Sequence, residues 1–335
     1  MYKTLDRVPG GGAVRALLAA TILTALSASG CHRHSCPSAI PSRGSWAGAT
    51  PIRSGDAVFF VGNSFFGWQG RSLPDWVAAL GQAMTPRIEI TTGSDIVIGN
   101  HPLGGFLAHP ATRQALASRK YQVYVLQGEE MEAVDHKAAF QRAVRDFNRA
   151  VVAAGGRTVL FMTWEFPWRR FIDQVAASYD EIGRELGIPV IPVGLVYQDC
   201  GCRPFAPGLS PHWLTADAAH RQGDLHPNEQ GAAVNAYATF EMLTGINPAG
   251  RNFVAPGNSN DDAMMKYLSA MAWARVSPRL SVVPASPLVA RRAPDAAKAQ
   301  NWKALGWTPT PGAADRSQSL AAATSTVTGP AARPK

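Results

Sequence analysis

Short apolar runs alternate along this chain with longer stretches in which apolar residues recur every three or four positions. The runs are residues 57–62, 87–92, 122–127, 158–163 and 190–193, each too short for a buried helix and bounded by polar residues, proline or glycine. The longer stretches, 73–84, 112–119, 137–154, 172–186, 228–243 and 262–274, carry the helical period. Strand and helix in this rhythm predict right-handed crossovers and a parallel sheet of about five strands covered on both faces. In such a sheet ligands bind beyond the carboxyl ends of the strands.

That edge is where the polar candidates fall. Residues 58–67 read Val-Phe-Phe-Val-Gly-Asn-Ser-Phe-Phe-Gly, an apolar run that stops at Gly62-Asn63-Ser64. A buried parallel strand has this appearance when it delivers a serine hydroxyl to the sheet end. Gln127 closes the third run, and Thr163-Trp164 the fourth. Far downstream, Asp224-Leu225-His226-Pro227-Asn228 supplies a carboxylate and an imidazole just before a helix start marked by Pro227, Asn228 and Glu229.

Serine, distant histidine and neighbouring aspartate are the parts for acyl transfer through a serine ester. Ser64 is the expected nucleophile, although the Gly-x-Ser-x-Gly elbow of α/β-hydrolases is absent. His226 is the expected general base, oriented by Asp224. The Ser64 backbone N–H, a glycine N–H from Gly104-Gly105 and the Gln127 side-chain amide are the candidate oxyanion donors. Trp68, Trp164, Phe166 and Trp168 follow strand ends and, with Asn63, are candidates for contact with substrate. Glu129 and Glu130 are expected to face water.

The ends of the chain have a different composition. Met1 to Gly30 hold Lys3, Arg7 and Arg15, then an apolar core of about 11 residues, too short to span a bilayer, then small residues before Cys31. This reads as a signal peptide, and the small residues before the cysteine resemble a lipobox, with Ala28 where Leu or Val is usual. Cys31 is then the lipidated N-terminus, and the expected location is the cell envelope, or secretion if the anchor is absent. Residues 31–52 read as a tether, 53–283 as one domain, and 284–335, rich in Ala, Pro, Ser, Thr and Arg, as a disordered tail.

The net charge of +8 leaves +6 once Lys3, Arg7, Arg15 and Asp6 are removed, and much of the excess lies in the tail. No basic patch interleaved with aromatics points to nucleic acid. Besides Cys31 the chain has Cys36, Cys200 and Cys202. The last two are too close in sequence to pair comfortably, so one is expected to bridge to Cys36.

Six blocks in order resemble the SGNH (GDSL-type) hydrolases, and more closely their DUF4886 group. They are Val-Gly-Asn-Ser-Phe (61–65), Leu-Gly-Gly-Phe-Leu-Ala-His (103–109), Val-Leu-Gln (125–127), Leu-Phe-Met-Thr-Trp (160–164), Ile-Pro-Val-Gly (191–194) and His-Pro-Asn-Glu-Gln-Gly (226–231). The closing Leu-Thr-Gly-Ile-Asn-Pro-Ala-Gly (243–250) is similar too. The resemblance implies a three-layer α/β/α sandwich and ester hydrolysis with no metal or organic cofactor. It implies Ser64 as nucleophile, His226 as base and Gly105 as the oxyanion glycine. The superfamily's asparagine donor is missing, and Gln127 stands in its place. The superfamily's aspartate precedes the histidine by three residues, where this chain has Gly223, so Asp224 is one residue too close.

The expectation is therefore an envelope serine esterase acting on an O-acyl group, such as acetyl, of a carbohydrate. Its partners would be that ester and, through the lipid anchor, a membrane. The alternative is a lipoprotein that kept the fold without catalysis and binds glycan or a protein.

Overall fold

The computed structural model describes residues 51–216 and 224–280. The expected signal peptide, the lipidated Cys31, most of the tether and the basic tail lie outside the described residues. Five strands form one parallel sheet in the order β4-β1-β5-β6-β7. They are β1 (Ala57–Asn63), β4 (Thr91–Val97), β5 (Val123–Leu126), β6 (Arg157–Phe161) and β7 (Val190–Ile191), and a two-stranded hairpin, β2 (Gly67–Trp68) with β3 (Arg71–Ser72), follows β1. The sheet order reverses at β1, the first strand, with β4 on one side and β5 on the other.

Alternation along the strands builds two cores. Val58, Phe60, Val123, Val125, Val159 and Phe161 face one side, and Phe59, Val61, Tyr124, Leu126 and Leu160 the other. On the first side pack helices α1 (Leu73–Ala83), α7 (Glu229–Thr244) and α8 (Asp262–Val276). On the second pack α2 (Pro110–Ser118), α4 (Lys137–Ala153) and α5 (Ile172–Leu186). The α/β/α sandwich expected from the sequence is thus the observed fold. In α4 the buried Phe140, Val144, Phe147 and Val151 make a single stripe. Each such side chain contributes about 1.5–3 kcal/mol on burial.

Helix α7 differs: every residue from Gly231 to Thr244 is buried, because α1 and α8 cover it as well as the sheet. Asn228 starts it. Its Oδ1 accepts from Gly231 N–H at 2.9 Å, and its Nδ2 donates to the Trp213 carbonyl at 2.6 Å. The loop that carries His226 is thereby fixed to the segment 213–216, which also pairs Ala216 N–H with the His226 carbonyl at 2.9 Å.

Two elements depart from the expected pattern. The second strand is residues 91–97 instead of 87–92, because Ile88 and Ile90 pack into the core before the backbone comes into register with β1. Residues 193–202, of which the sequence pattern placed only Val193, at the end of a strand, form helix α6 (Val193–Cys202). A four-residue helix, α3 (Glu132–Asp135), precedes α4. At the end of α6, Cys202 is disulfide-bonded, whereas Cys200 is a free buried thiol whose pKa burial pushes up to about 12. Among the described residues no helix is long and apolar enough to cross a membrane.

Candidate active site

The first strand ends at Asn63, and Ser64 opens a 3-10 turn, Ser64–Phe66. Asn63 caps that turn, its Oδ1 accepting from Phe65 N–H at 3.0 Å. Glycine is required just before it, since a Cβ at Gly62 would lie 2.6 Å from Gln127 Oε1. Ser64 is only 2 % exposed.

His226 reaches this serine from 162 residues away in sequence. Ser64 Oγ and His226 Nε2 are 2.8 Å apart, and His226 Nδ1 and Asp224 Oδ1 are 2.7 Å apart. In the tautomer this pattern favours, Nδ1–H donates to the carboxylate and Nε2 accepts from the serine hydroxyl. The close spacing of Asp224 is accommodated by an Asx turn: the same Oδ1 also accepts from the His226 backbone N–H at 3.1 Å. The carboxylate thus folds back over the ring instead of approaching from a residue further upstream. Gly223 lies outside the described residues.

Aromatic rings enclose the imidazole. Trp68, on the hairpin, stacks flat on His226 with centroids 3.6 Å apart and planes 7° from parallel. Phe65 meets the ring edge-on. Trp68 therefore covers the imidazole, a placement that its position after the serine did not disclose.

Other expected contacts are corrected. Trp164 is 1 % exposed, stacked between Phe65 and Tyr197, and its Nε1–H donates to the Leu225 carbonyl at 3.1 Å. It braces the histidine loop from within the core and has no face for substrate. Phe166 is buried too, and only Trp168 of that group is open, at 53 %. Asn63 is buried, with both ends of its amide engaged: besides Phe65, its Oδ1 accepts from Gln127 Nε2 at 2.7 Å, and its Nδ2 donates to Glu130 Oε1 at 3.0 Å.

The expected oxyanion donors fare unevenly. Ser64 opens its turn, where a backbone N–H has no partner within the turn. Gln127 is buried, and besides its bond to Asn63 Oδ1 its Oε1 accepts from Asn63 N–H at 3.3 Å, so its amide serves Asn63. The Gly105 N–H donates to the Pro102 carbonyl at 3.0 Å, closing the 3-10 turn Leu103–Ala108. Gly104, one residue earlier and exposed, is the glycine of that pair with no acceptor inside the turn.

Glu130 does not simply face water. It is partly buried, and its Oε1 holds Asn63. Burial first, and a hydrogen bond with Glu129 second, push its pKa up to about 7. Glu132, on the same loop, is buried, and its Oε2 accepts from the Leu103 N–H at 3.0 Å and the Glu129 N–H at 3.2 Å. Burial raises its pKa as well. Among the described residues no group of three or more His, Cys, Asp or Glu is arranged to hold a metal ion.

No protein-family model and no curated protein matches the chain. Solved structures do. A DUF4886 family protein from Bacteroides uniformis superposes with a TM-score of 0.50 at 16% identity, over 68% of this chain and 97% of its own. A lipase/acylhydrolase from Enterococcus faecalis gives 0.42 at 15% identity, over 57% and 96%. TesA gives 0.43 at 16% identity, over 57% and 99%. The chain shares the fold of that DUF4886 family protein, from the group its sequence blocks resemble.

Proposed function

We propose that the protein is a serine ester hydrolase working through Ser64, His226 and Asp224. The observation that carries this reading is the unbroken chain of contacts from Ser64 Oγ to His226 Nε2 and from His226 Nδ1 to Asp224 Oδ1. Ser64 Oγ attacks the acyl carbonyl carbon while its proton passes to Nε2. The carbonyl oxygen takes up negative charge beside the Ser64 and Gly104 N–H groups. Collapse breaks the ester C–O bond, and the proton on Nε2 goes to the departing alcohol. Water then repeats the sequence on the acyl-serine and releases the acid. Asp224 holds the ring and stabilises the imidazolium that forms in each half.

A serine that is nearly buried, beside a histidine covered by Trp68, favours a small acyl group such as acetyl. The open Trp168 suits the face of a sugar ring, so we take the substrate to be an O-acyl carbohydrate. The N-terminal pattern of charge, apolar core and Cys31 puts the protein in the cell envelope under this reading, anchored by lipid.

A second reading has one observation in its favour. Gly105 and Gln127 are both engaged elsewhere, as they would be in a fold kept for binding glycan or a protein without turnover. Fluorophosphonate labelling followed by intact-mass analysis separates the two. One adduct on the wild type and none on Ser64→Ala supports the hydrolase. An unlabelled, folded wild type favours the binding reading.

A further inference from the structure

Of the three glutamates that follow β5, Glu129, Glu130 and Glu132, Glu130 is the one whose side chain is bonded to Asn63, the cap of the turn that opens with Ser64. Glu130 Oε1 accepts from Asn63 Nδ2 at 3.0 Å. Asn63 Oδ1 in turn accepts from the Phe65 N–H and from Gln127 Nε2. An asparagine amide has two faces of different chemistry, and flipping it would set Nδ2 against two donors. With Glu130 Oε1 on the Nδ2 side, the flip would also set two acceptor oxygens, Asn63 Oδ1 and Glu130 Oε1, against each other. The Phe65 N–H bond is the one that shapes the turn displaying Ser64.

Resting on the ester-hydrolase reading, we infer that Glu130 is a positioning residue: by holding the Asn63 amide in one orientation it fixes the turn from which Ser64 meets His226. Glu132, two residues on, binds backbone directly, its Oε2 accepting from the Leu103 N–H that opens the 3-10 turn Leu103–Ala108. A displacement of about 1 Å at a nucleophile can cost a hundredfold in rate.

The test uses the full chain and p-nitrophenyl acetate, with thermal melting to check the fold. Glu130→Met keeps the volume and removes the acceptor, Glu130→Ala is the second truncation, and Glu130→Gln keeps an acceptor oxygen. The truncation that melts like wild type is expected to lower kcat by about 10–100-fold with KM within about twofold, and Glu130→Gln to stay within about threefold of wild type. In an Asn63→Ala background the same truncation is expected to cost nothing further, because the path through Asn63 is already gone. Wild-type kcat in the truncation, an equal loss in Glu130→Gln, or full additivity with Asn63→Ala each overturns the inference while leaving the hydrolase reading intact. Two unfolded truncations beside a normal Glu130→Gln would make Glu130 a residue of stability and overturn it as well. If the wild type neither turns over the ester nor takes the fluorophosphonate label, the hydrolase reading fails and the inference falls with it.

Discussion

On one side of Ser64 the groups meet each other; on the other they are turned away to brace the loops. Towards α7, hydroxyl, imidazole and carboxylate stand at 2.8 and 2.7 Å, with Trp68 and Phe65 around the ring. Towards β5, Gln127 binds Asn63, Gly105 closes its own turn, and Glu130 and Glu132 hold Asn63 and Leu103. Proton transfer needs side chains in direct contact. Charge stabilisation needs only N–H groups held still, and the residues that hold them need not touch the substrate. The two sides therefore ought to respond differently to substitution.

The largest effects belong to the α7 side. Ser64→Ala and His226→Ala are expected to lower kcat for ester hydrolysis by about 10⁴–10⁶, since these groups act as a unit. Asp224→Asn should cost about 10²–10⁴, because Asp224 is partly exposed and water can stand in for some of its charge. Steady-state kinetics on p-nitrophenyl acetate, with melting as control, checks all three. An Asp224→Asn variant as active as wild type would break the comparison by removing one member of the contacting side.

Gln127 sharpens it. An oxyanion donor costs about 10²–10³ in kcat when removed, whereas a residue that steadies Asn63 should cost nearer tenfold. Gln127→Met is expected to fall in the lower range and to destabilise the fold by about 1–3 kcal/mol, as Asn63 loses buried partners. A loss of a hundredfold or more at unchanged stability would return Gln127 to the oxyanion hole. Smaller still, Trp68→Ala should lower kcat by about two- to fivefold, the worth of an aromatic face stacked on a ring that becomes cationic in the reaction.

The α7 side was also the more legible in the sequence. Ser64 and His226 are marked by an apolar run ending in Gly-Asn-Ser and by Asp-x-His-Pro-Asn before a helix, signals that depend on local chemistry. Strands β1, β5 and β6 were legible for the same reason, as central strands apolar on both faces. Edge strand β4, which reads Thr-Thr-Gly-Ser-Asp-Ile-Val and is part-exposed over most of its length, carried no such mark. Helix α6 is buried over most of its length, so Val193, Leu195 and Val196 gave no amphipathic period. Trp164 was misplaced because aromatic type does not distinguish a ring at a site mouth from one stacked inside. The role of Glu130 depends on a partner 67 residues away, which no spacing rule reports.

The smallest prediction concerns protons on the β5 side. The folded-state pKa of Glu130 is about 7, above the ordinary 4.5 that the unfolded chain would show. Between those values the folded protein holds a proton that the unfolded chain has released. The stability linked to Glu130 is therefore fully present below pH 4.5 and is lost as pH rises through 7. Glu132 and the buried, unpartnered Glu241 are shifted in the same direction, so the wild-type slope is a sum, and the Glu130 part must be read by difference. Melting temperature is expected to fall by a few degrees more between pH 5 and pH 8 in wild type than in Glu130→Gln, which has no proton to lose. Equal slopes for wild type and Glu130→Gln would mean that the carboxyl is ionised in the fold at neutral pH, and that Asn63 is held by a full charge.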